Sequence, residues 1–499
     1  MKRILLFITV GLTYSMQSQD VPDAMRYAID NINGTARFRG MSGAFGALGG
    51  DLSSISINPA GSAVFANHQA GATLAVYNTH NTAGYFGTTS RENDNTFDLN
   101  QAGGVYVLEN EDKKSGWKKF TLAIDYENSA GFDNTWFSAG TNPTRSIDNY
   151  FLFYANANGG VPLDVLDNYN YEELSYNDAQ ALLGYQGYII NPANNNPNTS
   201  LYGSNVAAGG NYYQENSFAS TGFNGKVSFN VAGQYKDRLY VGVNLNSHFT
   251  DYTQSTIFTE QNSNPGNGVQ YLEFNNDLYT YGSGFSFQIG AIAKVTEDFR
   301  VGLSYQSPTW MKLRDEVSQS IGSIRTEGNV SNPISYLYSP GVTVVYDDYK
   351  LQTPGKITGS LAYIFGKSGL ISVDAGMKDY SSTKYGPERD FRGTNEVMSN
   401  AFDSNAFEVK VGAERRIAEW SIRAGYRWEE SPYKNNETIG DLHGFSGGLG
   451  YNFGEIKLDV AYAYSERTMK NRFFTQGFTD FPTINAKNHN ISVSLLFEL

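Results

Sequence analysis

The feature that most constrains this chain is strict alternation of apolar and polar residues. It recurs in segments longer than ordinary globular strands. Ile491, Val493, Leu495 and Phe497 share one parity, with Ser492, Ser494 and Glu498 on the other. Ile456, Leu458, Val460, Tyr462 and Tyr464 alternate with Lys457, Asp459, Ala461 and Ala463. Trp420, Ile422, Ala424, Tyr426 and Trp428 alternate with Ser421, Arg423, Gly425, Arg427 and Glu429. Successive side chains of a strand point to opposite faces, so each segment has one apolar and one polar face. The segments run about 10–12 residues, against a usual 5 or 6 in globular sheets. No run approaches the ~18 apolar residues that a membrane-spanning helix needs.

A soluble sandwich turns such apolar faces inward. A membrane barrel turns them outward to lipid and lines its lumen with the polar faces. Length favours the barrel, as do the aromatics at the segment ends, which suit an interfacial girdle. Loop length favours it too. Short turns at 294–299, 366–369, 415–419 and 454–455 alternate with long polar connections at 307–355, 380–405, 430–443 and 465–489, the asymmetry expected of periplasmic turns and extracellular loops. Fainter strands near 69–78, 103–109, 118–128, 218–234 and 239–258 bring the count to about fourteen, even as such barrels require. The fold expected is all-β, a fourteen-stranded antiparallel transmembrane barrel.

Composition agrees. Only 17% of residues are charged, where a soluble domain carries about 25%. The net charge of −13 argues against a nucleic-acid partner. Cysteine is absent, which removes thiolate chemistry and Cys-ligated metal. His68, His80, His248, His443 and His489 show no tight ligand spacing, so no metal or cofactor is expected. Residues 1–19 read as a secretory signal, with Lys2 and Arg3 ahead of a short apolar run. Residues 20–66 do not alternate. They hold a helical stretch at 22–32 and a small-residue tract from Gly40 to Asp51, which permits tight backbone packing. They read as a hatch inside a lumen formed by residues 67–499.

The run from Gly49 to Gly61, Gly-Gly-Asp-Leu-Ser-Ser-Ile-Ser-Ile-Asn-Pro-Ala-Gly, resembles the hatch signature of FadL-type outer-membrane transporters. Thr353 to Tyr363, Trp420 to Tyr426 followed by Ser431 and Pro432, and Gly447 to Gly454 with Leu458 to Tyr464 are similar to later family stretches. The resemblance implies a fourteen-stranded, hatch-plugged barrel in the Gram-negative outer membrane. It implies passive uptake of long-chain fatty acids or other hydrophobic molecules through an outer apolar groove and a dry inner pocket. Exit would be sideways at a kinked strand. The surroundings would be outer-membrane lipid and lipopolysaccharide, and the chain a monomer. Asp51, Asn58, Pro59, Ala60 and Gly61 become the expected hatch and gating residues.

Other candidates follow from pattern. Trp310, Leu313, Val317, Ile321 and Ile324 fall at helical spacing in a long loop, where they wall a ligand groove or pack the loop on its neighbour. Val165, Leu166, Leu174, Leu182 and Leu183 carry the same two readings. Arg423 and Arg427, on polar strand faces with Glu408, Lys410, Glu414, Asp374, Lys378 and Asp459, either pair with a substrate carboxylate or belong to a ladder bonding hatch to wall. Gly444-Phe-Ser-Gly-Gly448 formally matches a nucleophile elbow, which needs a strand-to-helix turn. This keeps an outer-membrane phospholipase as the enzyme alternative, although the chain is read as a non-enzyme. An assembly component of a secretion system is the non-transport alternative, since fold does not fix function.

Overall fold

The computed structural model describes residues 19, 21–112, 114–326 and 333–499. The signal-sequence reading of 1–19 therefore lies outside the described residues, Gln19 apart. Fourteen antiparallel wall strands close into a barrel. They are β1 Gln69–Tyr85, β2 Thr88–Glu109, β3 Trp117–Gly131 continued by Asn134–Asn142, β4 Tyr212–Tyr235, β5 Leu239–Asn262 and β6 Gly268–Lys294. Next come β7, Phe299–Gln306 continued by Trp310–Thr326, and β8, which runs through Ile334–Tyr338, Val344–Val345, Tyr349–Gln352 and Lys356–Ile364. The rest are β9 Gly369–Lys378, β10 Ala406–Ile417, β11 Trp420–Glu429, β12 Ile439–Asn452, β13 Ile456–Lys470 and β14 Thr483–Glu498. Closure is the pairing of β1 with β14, from Gln69↔Glu498 to Gly84↔Thr483.

The alternation has its physical outcome here. Leu449 is 52% exposed on the outer face and Ile422 48%, while Arg423, Asp459, Ser492 and Ser494 are buried in the lumen. An open sheet in hydrocarbon would leave an edge of unpaired backbone groups, so closure is obligatory. At one end the connections are short, at 236–238, 295–298, 365–368, 418–419 and 453–455; at the other lie the longer ones, at 143–211, 379–405, 430–438 and 471–482, beside tight connections at 86–87 and 263–267.

Two expectations about the long connections change. Residues 307–355 are mostly strand, not loop. Trp310, Leu313, Val317, Ile321 and Ile324 all lie on β7, where Met311, Leu313, Asp315, Val317 and Ile321 face inward and Trp310 and Ile324 outward. Spacings of three and four occur by chance in a strand with apolar residues on both faces. The loop at 465–489 is likewise shorter, because β13 and β14 continue into it.

The connection at 143–211 builds a cap with its own core. Three helices, Asp148–Asn156, Leu163–Asn168 and Tyr176–Gln186, bury Phe151, Leu166, Leu182 and Leu183 against Phe258, Phe274 and Ile321 of the wall. The leucines at helical spacing are thus packing residues, and each buried one contributes about 1.5–3 kcal/mol.

Topology is directly testable because the chain has no cysteine. A membrane-impermeant maleimide should label Lys434→Cys in intact cells and Lys367→Cys only after lysis. The reverse pattern would mean that the barrel is inserted the other way up.

Candidate functional site

The hatch enters the lumen high and descends. It carries an upper helix, Val21–Ala28, and a lower one, Ala36–Arg39. The upper helix buries Ala24, Met25, Tyr27 and Ala28 in a cluster with Met311, Leu313, Tyr349, Phe391 and Met398. Leu313 therefore packs against the hatch rather than lining an external groove. Trp310 lies outside, beside Phe287, and Val317 is buried higher on the inner wall.

The lower hatch is a polar knot. Thr35 caps its helix, accepting from Phe38 N at 3.1 Å and donating to Asp51 Oδ1 at 2.8 Å. Asp51 also accepts from Ser53 N at 3.0 Å. Burial pushes the Asp51 carboxyl up, and Arg37 opposes it. Arg37 reaches Glu414 on β10 at 2.8 Å. Asp374 on β9 accepts from Phe45 N and Gly46 N, each at 3.0 Å. Charge-assisted bonds of this kind contribute about 1.5–3 kcal/mol each, so several together fix this half of the hatch.

Asn58 ties the knot to the wall. Its Oδ1 accepts from Ala60 N at 3.1 Å, and its Nδ2 donates to Gly46 O at 2.8 Å and Ala291 O at 3.0 Å. Pro59 opens a 3₁₀ turn, Pro59–Val64. Ala60 packs with Ala232, Tyr240 and Ile292 of the wall. At Gly61 the backbone comes close to its neighbour. A Cβ there would lie 2.6 Å from Ser54 Oγ. The wall makes room in the same way, since Cβ atoms at Gly290, Gly302 and Gly425 would lie 2.0–2.5 Å from the hatch. These wall glycines were not singled out from sequence, because glycine at a lumen-facing strand position has no signature of its own.

Arg423 bridges Glu414 at 2.7 Å and Asp459 at 2.5 Å, and Arg427 pairs with Glu429 at 3.1 Å. They belong to the charge ladder that holds the hatch's partners in place. Neither lines the internal cavity. Ser446 stands within β12 and meets hatch Ser42 Oγ at 2.8 Å; the strand-to-helix turn of an elbow is missing at this position. Among the described residues no histidine or carboxylate group forms a metal-binding cluster.

Between the upper hatch and the wall lies a cavity of about 110 Å³. It is polar, where a dry pocket was expected. The cause is the alternation itself: any gap between hatch and wall inherits the polar face of the strands. Lys226, Lys356, Lys378 and Lys410 line it, with Asp30, Glu127 and Glu429. Asp30, two residues beyond the upper hatch helix, is gripped by Lys378 at 2.7 Å and Lys356 at 3.2 Å. Burial alone would raise the Asp30 carboxyl, but the two lysines outweigh it and hold it well below the usual carboxylate range. The Tyr27 side chain is buried there.

The cavity also meets an unzipped seam. The β2–β3 ladder stops at Gln101↔Glu127. Beyond it, β2 pairs only with β1 and the continuation of β3 only with β4. Ser129 and Ala130, just past the last rung, line the cavity.

Comparison with known proteins bears on this arrangement. A family model described as outer membrane protein transport protein (OMPP1/FadL/TodX) matches residues 193–476. The solved structure of a Pseudomonas aeruginosa FadL homologue aligns over 94% of this chain and 99% of its own, at 12% identity and TM-score 0.55. The Pseudomonas putida toluene transporter TodX aligns over 95% and 100%, at 13% identity and TM-score 0.51. At these identities the likeness is one of fold. No curated protein matches.

The Asp30 cluster yields a prediction with a definite sign. A carboxyl held below its unfolded value near 3.9 contributes stability that is present above that value and lost only as pH falls through the lower, folded one. Liposome-swelling leak of small solutes should therefore stay constant from pH 7 to pH 5. Asp30→Asn should raise it at both pH values. Leak that climbs in the parent chain over this window would mean that the ion pair does not seat the upper hatch.

Proposed function

The chain belongs to the FadL/TodX family of outer-membrane transporters for hydrophobic compounds, and from that premise we propose that it takes up long-chain fatty acids or similar amphiphiles passively, gated by the hatch at residues 20–66. One observation carries the finer reading: the internal cavity is lined by four lysines and adjoins a wall seam without a ladder. A plain hydrocarbon gains nothing from such a lining. A carboxylate does, through charge-assisted bonds to Lys356 and Lys378 once Asp30 yields them. The apolar tail then faces the seam, beyond which lies lipid.

The division of the hatch supports gating by its upper part. Below Asn33 the hatch is tied by buried polar bonds to β9, β10 and the wall around Asn58. Above it, contacts are mainly apolar, joined by the Asp30 cluster, the Gln19–Asp315 bond at 2.6 Å and Arg26 stacked on Tyr252 at 3.6 Å. Cargo that competes for the lysines frees the upper helix while the knot stays seated. Asn58 and Pro59 are then anchors, and Asp51 stabilises the knot.

Uptake into proteoliposomes tests the reading. Lys356→Met with Lys378→Met should weaken oleate uptake at limiting concentration by about tenfold or more, since one charge-assisted bond is about 1.5–3 kcal/mol and 1.4 kcal/mol is a factor of ten. Toluene flux should not fall. Equal losses for both probes would show that no head group is read.

A further inference from the structure

We propose that the wall carries a second lateral portal, between β7 and β8, at the other end of the same cavity; the proposal rests on the transport reading above. Both strands break at one level. The two halves of β7 are separated by Ser307, Pro308 and Thr309, and the last two segments of β8 by Thr353, Pro354 and Gly355. Ladder pairing runs to Gln306↔Lys356 on one side of the gap and resumes at Trp310↔Gln352 on the other. Two prolines facing one another remove two donors from the wall, and proline within a sheet belongs at edges or irregularities. What closes the gap is a threonine pair. Thr353 N donates to Thr309 O at 3.0 Å, and Thr309 N donates to Thr353 Oγ1 at 3.2 Å. β7 remains tied to β6 here, through Ser307 N to Phe287 O at 2.9 Å, and β8 to β9 from Lys356↔Lys378 onward, so the threonine pair is what an opening between β7 and β8 must break.

Both faces of the break are suited to passage. Inside, Gln306, Thr309, Thr353 and Pro354 line the cavity. The upper hatch helix covers this spot, packing on Met311 and Leu351. Asp30 just beyond it holds Lys356, the first residue of β8 after the gap. Outside, on the lipid face, lies an apolar groove of about 760 Å³ whose lining includes Val243, Ile289, Leu303, Tyr305 and Ile357. Ser304 lines both spaces, so a single strand separates them. Behind the groove, Gly242 and Gly290 bring the wall directly against Pro59 and Asn58 of the hatch. Its occupant is the apolar tail of the departing cargo. Release of Asp30 from Lys356 uncovers the inner mouth.

Thr309→Cys with Thr353→Cys tests this in the otherwise cysteine-free chain. With the β2–β3 seam locked as well, oxidation of this pair should cut the remaining oleate uptake at least tenfold, and reductant should restore it. A companion pair, Asp98→Cys with Asn128→Cys, locks the β2–β3 seam, where those side chains now bond at 2.5 Å. Full uptake with the threonine positions locked, together with loss when the seam is locked, overturns the portal. Spin labels on the same threonine pair read the gap without cargo. Their dipolar broadening should diminish in the Asp30→Asn background; unchanged broadening there also overturns the portal. Diminished broadening in a chain that moves no oleate would instead count against the transport reading.

Discussion

In hydrocarbon every backbone N–H and C=O must find its partner within the protein, and the rest of this structure depends on that constraint. It forces the sheet to close, β1 upon β14. Closure at fourteen strands leaves a lumen too wide for wall side chains to fill. The lumen wall is polar, because the period-2 pattern has assigned its apolar residues to lipid. Whatever plugs it must therefore bond polar groups over most of its surface and come close enough to exclude water. The hatch does both, through Asp374, Glu414 and Asn58 and through glycines on the wall strands.

The same constraint explains where the wall is weak. A ladder that stops, as between β2 and β3 past Gln101, or is interrupted, as at Pro308 and Pro354, gives up backbone pairing that the bilayer cannot replace. Both defects border the one internal cavity described here, and the upper hatch overlies it. The cavity's lysines are all engaged, by Asp30, Glu127 and Glu408. In the proposed function cargo recognition is an exchange of carboxylates, and the protein's own carboxylate, Asp30, sits on the upper part of the hatch.

Much of this was legible from residues alone. Alternation and loop asymmetry were enough for strand count and closure, and the Asn-Pro-Ala-Gly run for a segment apart from the wall, because each is a local pattern with one geometric meaning. The site was less legible. Arg423 and Arg427 were correctly placed on the lumen face, but strand periodicity says nothing of height along the barrel, and they lie beside the knot rather than the cavity. Lys378 and Lys410 were seen as lumen charges, yet Asp30, the partner of Lys378, sits in a segment without period. Trp310, Leu313 and Val317 misled because β7 is apolar on both faces, outward to lipid and inward to the upper hatch helix, which mimics helical spacing. The breaks at 307–309 and 353–355 read as parts of one long loop, since proline in a strand interior ordinarily argues against a strand.

The central claim is that residues 20–66 occlude a lumen that would otherwise conduct. Single-channel recording in planar bilayers, comparing the full chain with a form lacking residues 20–60, tests it most directly. The account predicts a nearly silent full chain and large, steady openings in the shortened one, with both forms inserted as barrels. Equal conductance of the two would contradict it.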